Sequence, residues 1–104
     1  MQTILLTETN VRRDIYIERI RRMVLDFFSD TPERVYLFGS WARGVQHRSS
    51  DVDIAVDGGT AGRIGAFREL LEESAIPYRV DVVDMRHTSE NLREEIRRDG
   101  IAWK

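Results

Sequence analysis

The 104-residue chain contains no cysteine, which excludes disulfides, zinc knuckles and a thiol nucleophile. Its two histidines, His47 and His87, lie far apart and form no paired metal-ligand motif. Lys104 is the only lysine. Despite fifteen arginines the formal net charge is −2, so the basic excess of a nucleic-acid coat is missing and no direct nucleic-acid binding is expected, although a local basic patch remains open. No apolar run approaches the roughly 20 residues of a membrane span. The opening MQTILLTETN has no cationic lead-in, so it does not read as a signal peptide. A cytoplasmic protein is the expectation. There is no Gly-Lys-Ser or Gly-Lys-Thr run, which excludes a P-loop. A second core would have too few residues to close, so residues 1–104 are expected to form one domain.

What is present is periodic. Ile17, Ile20, Val24, Phe27 and Phe28 recur at helical spacing, predicting a helix over residues 11–28 with Asn10 as its cap. Arg12, Arg13, Arg21 and Arg22 fall on its wet face. Pro32 stops it, and Arg34-Val-Tyr-Leu-Phe38 reads as a buried strand. Gly39-Ser40 breaks the strand, residues 41–44 make a short helical turn, and residues 45–50 are polar loop. A second strand is expected over 52–56, then a turn at 57–60. A helix follows over 62–74, with Ile64, Phe67, Leu70 and Leu71 on one face. A third strand is expected over 78–83. Thr88 or Ser89 caps a helix over 90–98, which Gly100 stops, and a short strand over 101–103 closes the pattern. This order predicts an α/β (α+β) fold, a small mixed sheet flanked by helices.

The chemistry lies in the carboxylates. Side chains alternate across a strand, so Asp51 and Asp53 project from one face roughly 7 Å apart, while Val52, Ile54 and Val56 feed the core from the other. Two adjacent carboxylates repel, and a hard divalent cation such as Mg²⁺ between them relieves the repulsion. Asp81 interrupts the apolar run Val80-Asp81-Val82-Val83, where an acid is expensive to desolvate without a partner. If its strand lies beside the second, Asp81 joins the pair, and three acids can hold two Mg²⁺ about 3.5–4 Å apart. Otherwise Asp81 pairs with an arginine such as Arg79 or Arg86. Gly39 lets backbone approach a phosphate, Ser40 can add a hydroxyl, and Arg43 can neutralise triphosphate charge. Taken singly, a Gly-Ser dipeptide is a turn and an Asp-x-Asp is a solvated strand end. The conjunction at these intervals carries the reading. Asp57 falls in a turn, and Asp84 has the opposite parity and faces away. His47 is a weak candidate in the polar loop. Trp41 is expected to be buried against the first helix rather than stacked on a base.

These residues resemble the nucleotidyltransferase superfamily that includes DNA polymerase beta, and within it the MNT group of minimal nucleotidyltransferases, many encoded beside a helical HEPN-domain protein. The likeness rests on Gly39-Ser-Trp-Ala-Arg-Gly44, Ser50-Asp-Val-Asp-Ile-Ala-Val56, Arg79-Val-Asp-Val-Val83 and the ending Glu95-Ile-Arg-Arg-Asp-Gly-Ile101. It covers about residues 34–103. The resemblance implies a nucleotidyltransferase fold in which Gly39 and Ser40 hold nucleotide phosphates, Asp51 and Asp53 bind metal, and Asp81 activates the acceptor hydroxyl. It also implies transfer of a nucleoside monophosphate, AMP from ATP, to a hydroxyl of a partner protein, with a HEPN ribonuclease toxin as that partner and this chain as its antitoxin. Larger members use an extra domain to bind the acceptor, so a partner is expected to supply that surface here. Two alternatives stay open. One is a non-catalytic antitoxin-like subunit that neutralises a HEPN partner by contact; the other, less supported, is a small-molecule nucleotidyltransferase.

Overall fold

The structure, a computed structural model, describes residues 14–46 and 51–104. Helix α1 spans Ile15–Phe27, β1 Arg34–Phe38, α2 Ser40–Arg43, β2 Val52–Asp57, α3 Ala61–Glu73, β3 Val80–Asp84, α4 Glu90–Asp99 and β4 Ile101–Ala102, with a 3₁₀ turn at Met85–His87. The four strands form one mixed sheet in the order β3-β2-β1-β4. β1 runs antiparallel to both β2 and β4, and β2 runs parallel to β3. The expected mixed sheet with flanking helices is therefore present.

Strand alternation divides the core. Val35, Leu37, Val52, Ile54, Val56 and Val82 pack with Ile17, Ile20, Val24 and Phe28 from the α1 side and with Ile64, Phe67 and Leu71 of α3. Phe38, Ala55, Met85 and Ile96 form a smaller cluster on the opposite face, under α4. Phe27, Phe28 and Phe67 meet with ring centroids 4.8–5.3 Å apart, joining α1 to α3. Leu70, expected on the core face of α3, is an exposed residue instead. The inward stripe of α3 is filled by Ile64, Phe67 and Leu71, and Leu70 sits at its margin.

Local capping sets the helix ends. α1 begins at Ile15, later than expected, because Asp14 accepts hydrogen bonds from the backbone N–H of Tyr16 and Ile17. Asn10, the expected cap, lies outside the described residues. The second oxygen of Asp14 accepts from the Tyr78 hydroxyl, and this tether draws Tyr78 out of the expected third strand, which starts at Val80. Thr60 caps α3 and Ser89 caps α4. At the start of β1, buried Glu33 pairs with Arg63 Nε at 2.6 Å, and Arg63 also donates to Phe27 O and Thr31 Oγ1. Among the described residues no helix is long and apolar enough to cross a membrane.

Candidate active site

The end of β1 and the starts of β2 and β3 meet at one end of the sheet. The antiparallel register sets Phe38 against Asp53, and the parallel register sets Asp53 beside Asp81. Neighbouring strands lie about 4.8 Å apart, so these two acids are next-door neighbours on the α4 face of the sheet. Asp51, one strand repeat earlier on the same face, is exposed, Asp53 is half-buried, and Asp81 is exposed. Val52, Ile54 and Val56 enter the main core, as their alternation predicts.

The crowding is electrostatically visible. Burial first, then the charges of Asp81 and Asp51, push the Asp53 carboxyl above its ordinary range, and Arg43 partly offsets them. The bland alternative for Asp81, a pairing with Arg79 or Arg86, does not occur. Arg79 lies 3.9 Å from Asp51 instead, and Arg86 binds Asp84 at 2.7 Å. Hydrogen bonding to Arg86 holds the Asp84 carboxyl below its ordinary range despite burial. Asp84 sits beside Val56, at the far end of β3. His87 falls in the 3₁₀ turn, 3.8 Å from Asp84 and away from the three acids. Asp57, expected in a turn, is the last residue of β2. His47 and Ser50 lie outside the described residues.

Gly39 closes the site from the β1 side. Its backbone has φ 75° and ψ −153°, a region that residues with a Cβ essentially never enter. A Cβ there would run into the Asp53 carboxylate, with Asp53 Cγ at 3.2 Å. The bare backbone is thus what allows the acid to lie against the turn. Ser40 opens α2, Trp41 is buried against the core with its ring 5.4 Å from that of Tyr78, and Arg43 is exposed at the last helical position. Trp41 is accordingly placed for packing, as expected.

Among the described residues, no three acidic or histidine side chains are drawn tightly enough together to form a metal cage. The donor chemistry of Asp51, Asp53 and Asp81, oxygen throughout, suits a hard cation such as Mg²⁺. Burial and the neighbouring carboxylates disfavour charge on Asp53, a cost that such a cation would offset. Two arginines stand nearby: Arg79, which the sequence offered as a partner for Asp81, and Arg68, which it did not single out. Arg79 faces Asp51, and Arg68 of α3 reaches β3, donating from Nη2 and Nε to Val82 O at 2.6 and 3.2 Å. The only sequence signal for Arg68 is an arginine on a helix, which is too common to act on.

Over 69 residues the chain is 42% identical to a protein adenylyltransferase MntA of Shewanella oneidensis, a match that takes in 64% of this chain and 49% of that protein. It is 37% identical over 70 residues to a probable protein adenylyltransferase MntA of Haemophilus influenzae, covering 62% and 59%. The chain thus spans about half of the first of these curated relatives and under two thirds of the second. Among solved structures, a toxin–antitoxin crystal structure with AMP-PNP superposes with a TM-score of 0.64 at 31% identity, covering 81% of this chain and 72% of that one. The family model described as polymerase beta, nucleotidyltransferase matches residues 24–102, which contain the Gly-Ser turn and all three acids. The chain therefore belongs to the polymerase beta nucleotidyltransferase family, as a minimal nucleotidyltransferase.

Proposed function

We propose that the chain is a divalent-metal-dependent nucleotidyltransferase that moves AMP from ATP onto a hydroxyl side chain of a partner protein, a helical HEPN-domain ribonuclease toxin that it neutralises. The observation that carries this reading is the register that sets Asp53 beside Asp81, with Asp53 lodged against the bare backbone of Gly39. The names of the relatives, protein adenylyltransferases, and of the structural neighbour, a toxin–antitoxin with AMP-PNP, support the nucleotide and the kind of partner.

Asp51 and Asp53, with Asp81 shared, are the residues that would hold Mg²⁺. Bound there, the ion would neutralise phosphate charge and make a hydroxyl easier to deprotonate. The chain's own groups do the rest. Gly39 leaves room for the triphosphate against the turn, the Ser40 hydroxyl donates to a phosphate oxygen, and Arg43 adds positive charge at the mouth. Asp81 accepts the acceptor hydroxyl's proton while its oxygen bonds to the α-phosphorus. The bond from that phosphorus to the oxygen bridging to the β-phosphate breaks, and pyrophosphate leaves. The new phosphodiester puts negative charge where RNA phosphates must bind, which disables a ribonuclease without unfolding it.

The test is to incubate the chain with Mg²⁺, each nucleoside triphosphate in turn, and its co-expressed HEPN-domain partner, and to weigh the partner by mass spectrometry. The expected result is a gain of one or more AMP groups with ATP and none with the double variant Asp51→Ala/Asp53→Ala. Should that variant protect cells from the partner as well as wild type does, with the partner's mass never changing, neutralisation is by contact alone and the transferase reading fails.

A further inference from the structure

Among the described residues β3 is an edge strand of the sheet. Val52 N–H bonds to Arg79 O, so the backbone groups of Arg79 and Asp81 point toward β2. By alternation those of Val80, Val82 and Asp84 point outward. One of the outward acceptors, Val82 O, is taken by a side chain: the Arg68 guanidinium, reaching over from α3, gives it two N–H donors at 2.6 and 3.2 Å. Arg68 occupies the place that the backbone N–H of an added strand would fill. On either side of it lies a cavity. One, of about 410 Å³, is bordered by Arg68, Leu71, Ile76, Tyr78, Arg79 and Asp81. The other, of about 320 Å³, is bordered by Ala61, Ile64, Arg68, Asp84, His87 and Thr88. Arg68 is the partition between them.

We infer that the free edge of β3 is the acceptor-docking site: an extended segment of the acceptor protein adds to β3 as a further strand, displacing Arg68 from Val82 O and bringing its hydroxyl side chain to Asp81. This rests on the transferase reading for the identity of Asp81 and deepens it by assigning where the acceptor binds. Three features select an extended peptide over other occupants. The outward backbone groups of Val80 and Val82 are hydrogen-bonding partners for a main chain. The two cavities lie along one strand, and side chains on one side of an added strand, repeating at about 6–7 Å, can enter both in turn, as strand-addition sites do. The first cavity reaches Asp81, and the alternate side chains of an added strand lie on the α4 face with its carboxylate. Arg68 serves as a latch that satisfies the edge when no partner is present and discourages pairing with a wrong strand.

The test follows amide hydrogen exchange in the full chain with and without the HEPN-domain partner, no nucleotide being present. Slowed exchange at Val80 and Val82 is expected on binding. Partner affinity is then measured for two variants of opposite effect. Val80→Pro removes an outward donor at the first residue of an edge strand, where proline is tolerated, and should weaken binding at least tenfold. Arg68→Ala opens the latch and should tighten binding about threefold, with Arg68→Lys falling between it and wild type. Protection by the partner confined to other elements, with β3 unchanged, overturns the inference whether or not Val80→Pro folds. So does weaker binding by Arg68→Ala, which would make Arg68 a contact rather than a latch. Slowed β3 exchange in the chain alone at high concentration would assign the edge to a second copy and also overturn it. A protected β3 with no mass gain on the partner sinks the transferase reading and leaves the docking site standing; a mass gain with an unprotected β3 does the reverse.

Discussion

Gly39→Ala tests the site at its tightest point, and Gly44→Ala is its internal control. Both glycines have positive φ, 75° at Gly39 and 72° at Gly44. They differ in what a methyl group would meet. At Gly44, which ends α2 in the left-handed region, nothing lies within 4 Å, so the cost is the backbone conformation alone, about 1 kcal/mol. At Gly39 the backbone conformation is one that only glycine adopts, with a strain of about 1–3 kcal/mol. The added methyl also collides with the Asp53 carboxylate. Phe38 and Asp81 flank Asp53 in register, and overpacking at such a site costs about 1–3 kcal/mol more. At roughly 4–8 °C per kcal/mol for a domain near this size, Gly44→Ala should melt some 4–8 °C below wild type and Gly39→Ala at least twice as far below. Circular dichroism melts give both numbers. Repeating them with saturating Mg²⁺ adds a second reading: the ion should raise the midpoint of wild type and of Gly44→Ala but not of Gly39→Ala, whose Asp53 is displaced. Equal losses in the two variants, with equal responses to Mg²⁺, would refute the contact between Gly39 and Asp53 and with it the assignment of the turn to the site.

Three further outcomes are expected. Asp53→Asn should stabilise the metal-free protein at neutral pH: the folded-state pKa lies above the ordinary 3.8, so the wild-type acid favours folding below that value and loses this contribution as pH rises through the folded one. Urea midpoints for variant and wild type should therefore converge as pH falls toward 3.8. Asp81→Asn keeps the size and loses the base, so calorimetry should find ATP still bound in the presence of Mg²⁺ while transfer to the partner collapses; unchanged transfer would remove Asp81 from the chemistry. Asp14→Ala removes both the cap of α1 and the acceptor of the Tyr78 hydroxyl. It should cost about 1–2 kcal/mol. Ultraviolet titration should also show the Tyr78 phenol, held up at about 12 by the Asp14 hydrogen bond, burial and the Asp14 charge, falling back toward 10.0.

The parts of this molecule legible in the sequence are those governed by neighbours a few residues away. Arg34–Phe38 is bounded by Pro32 before it and Gly39-Ser40 after it, and the strand has those limits. Ser89 and Gly100 bracket α4 in the same way. The placement of Asp51 and Asp53 on one face follows from alternation alone. The position of Asp81 does not, because it needs to be known that β3 lies beside β2 and in which register, and pairing order is a property of the whole chain. The same holds for the start of α1. Asn10 and Asp14 are both acceptable caps by residue type, and the Tyr78 hydroxyl that Asp14 also binds lies beyond two strands in sequence. No local pattern marks Arg63 or Arg68 on α3, yet one is folded onto Glu33 and the other onto Val82 O. Side chains that long reach partners which no local pattern specifies.

β4 is only two residues long, but it has a consequence for how the protein behaves in bulk. It covers Tyr36 and Leu37 on the outer side of β1, and Trp103 and Lys104 continue the cover with backbone bonds to Val35. Lys104 Nζ also binds Glu33 O at 2.9 Å. Without residues 101–104, Val35-Tyr36-Leu37-Phe38 would be a bare strand edge of high β-propensity and no charge, the kind of segment that seeds intermolecular pairing. Colloidal stability of the whole molecule thus hangs on a few residues remote from its chemistry. Deleting residues 101–104, harmless by any measure of the catalytic groups, would be expected to uncover that edge and promote aggregation.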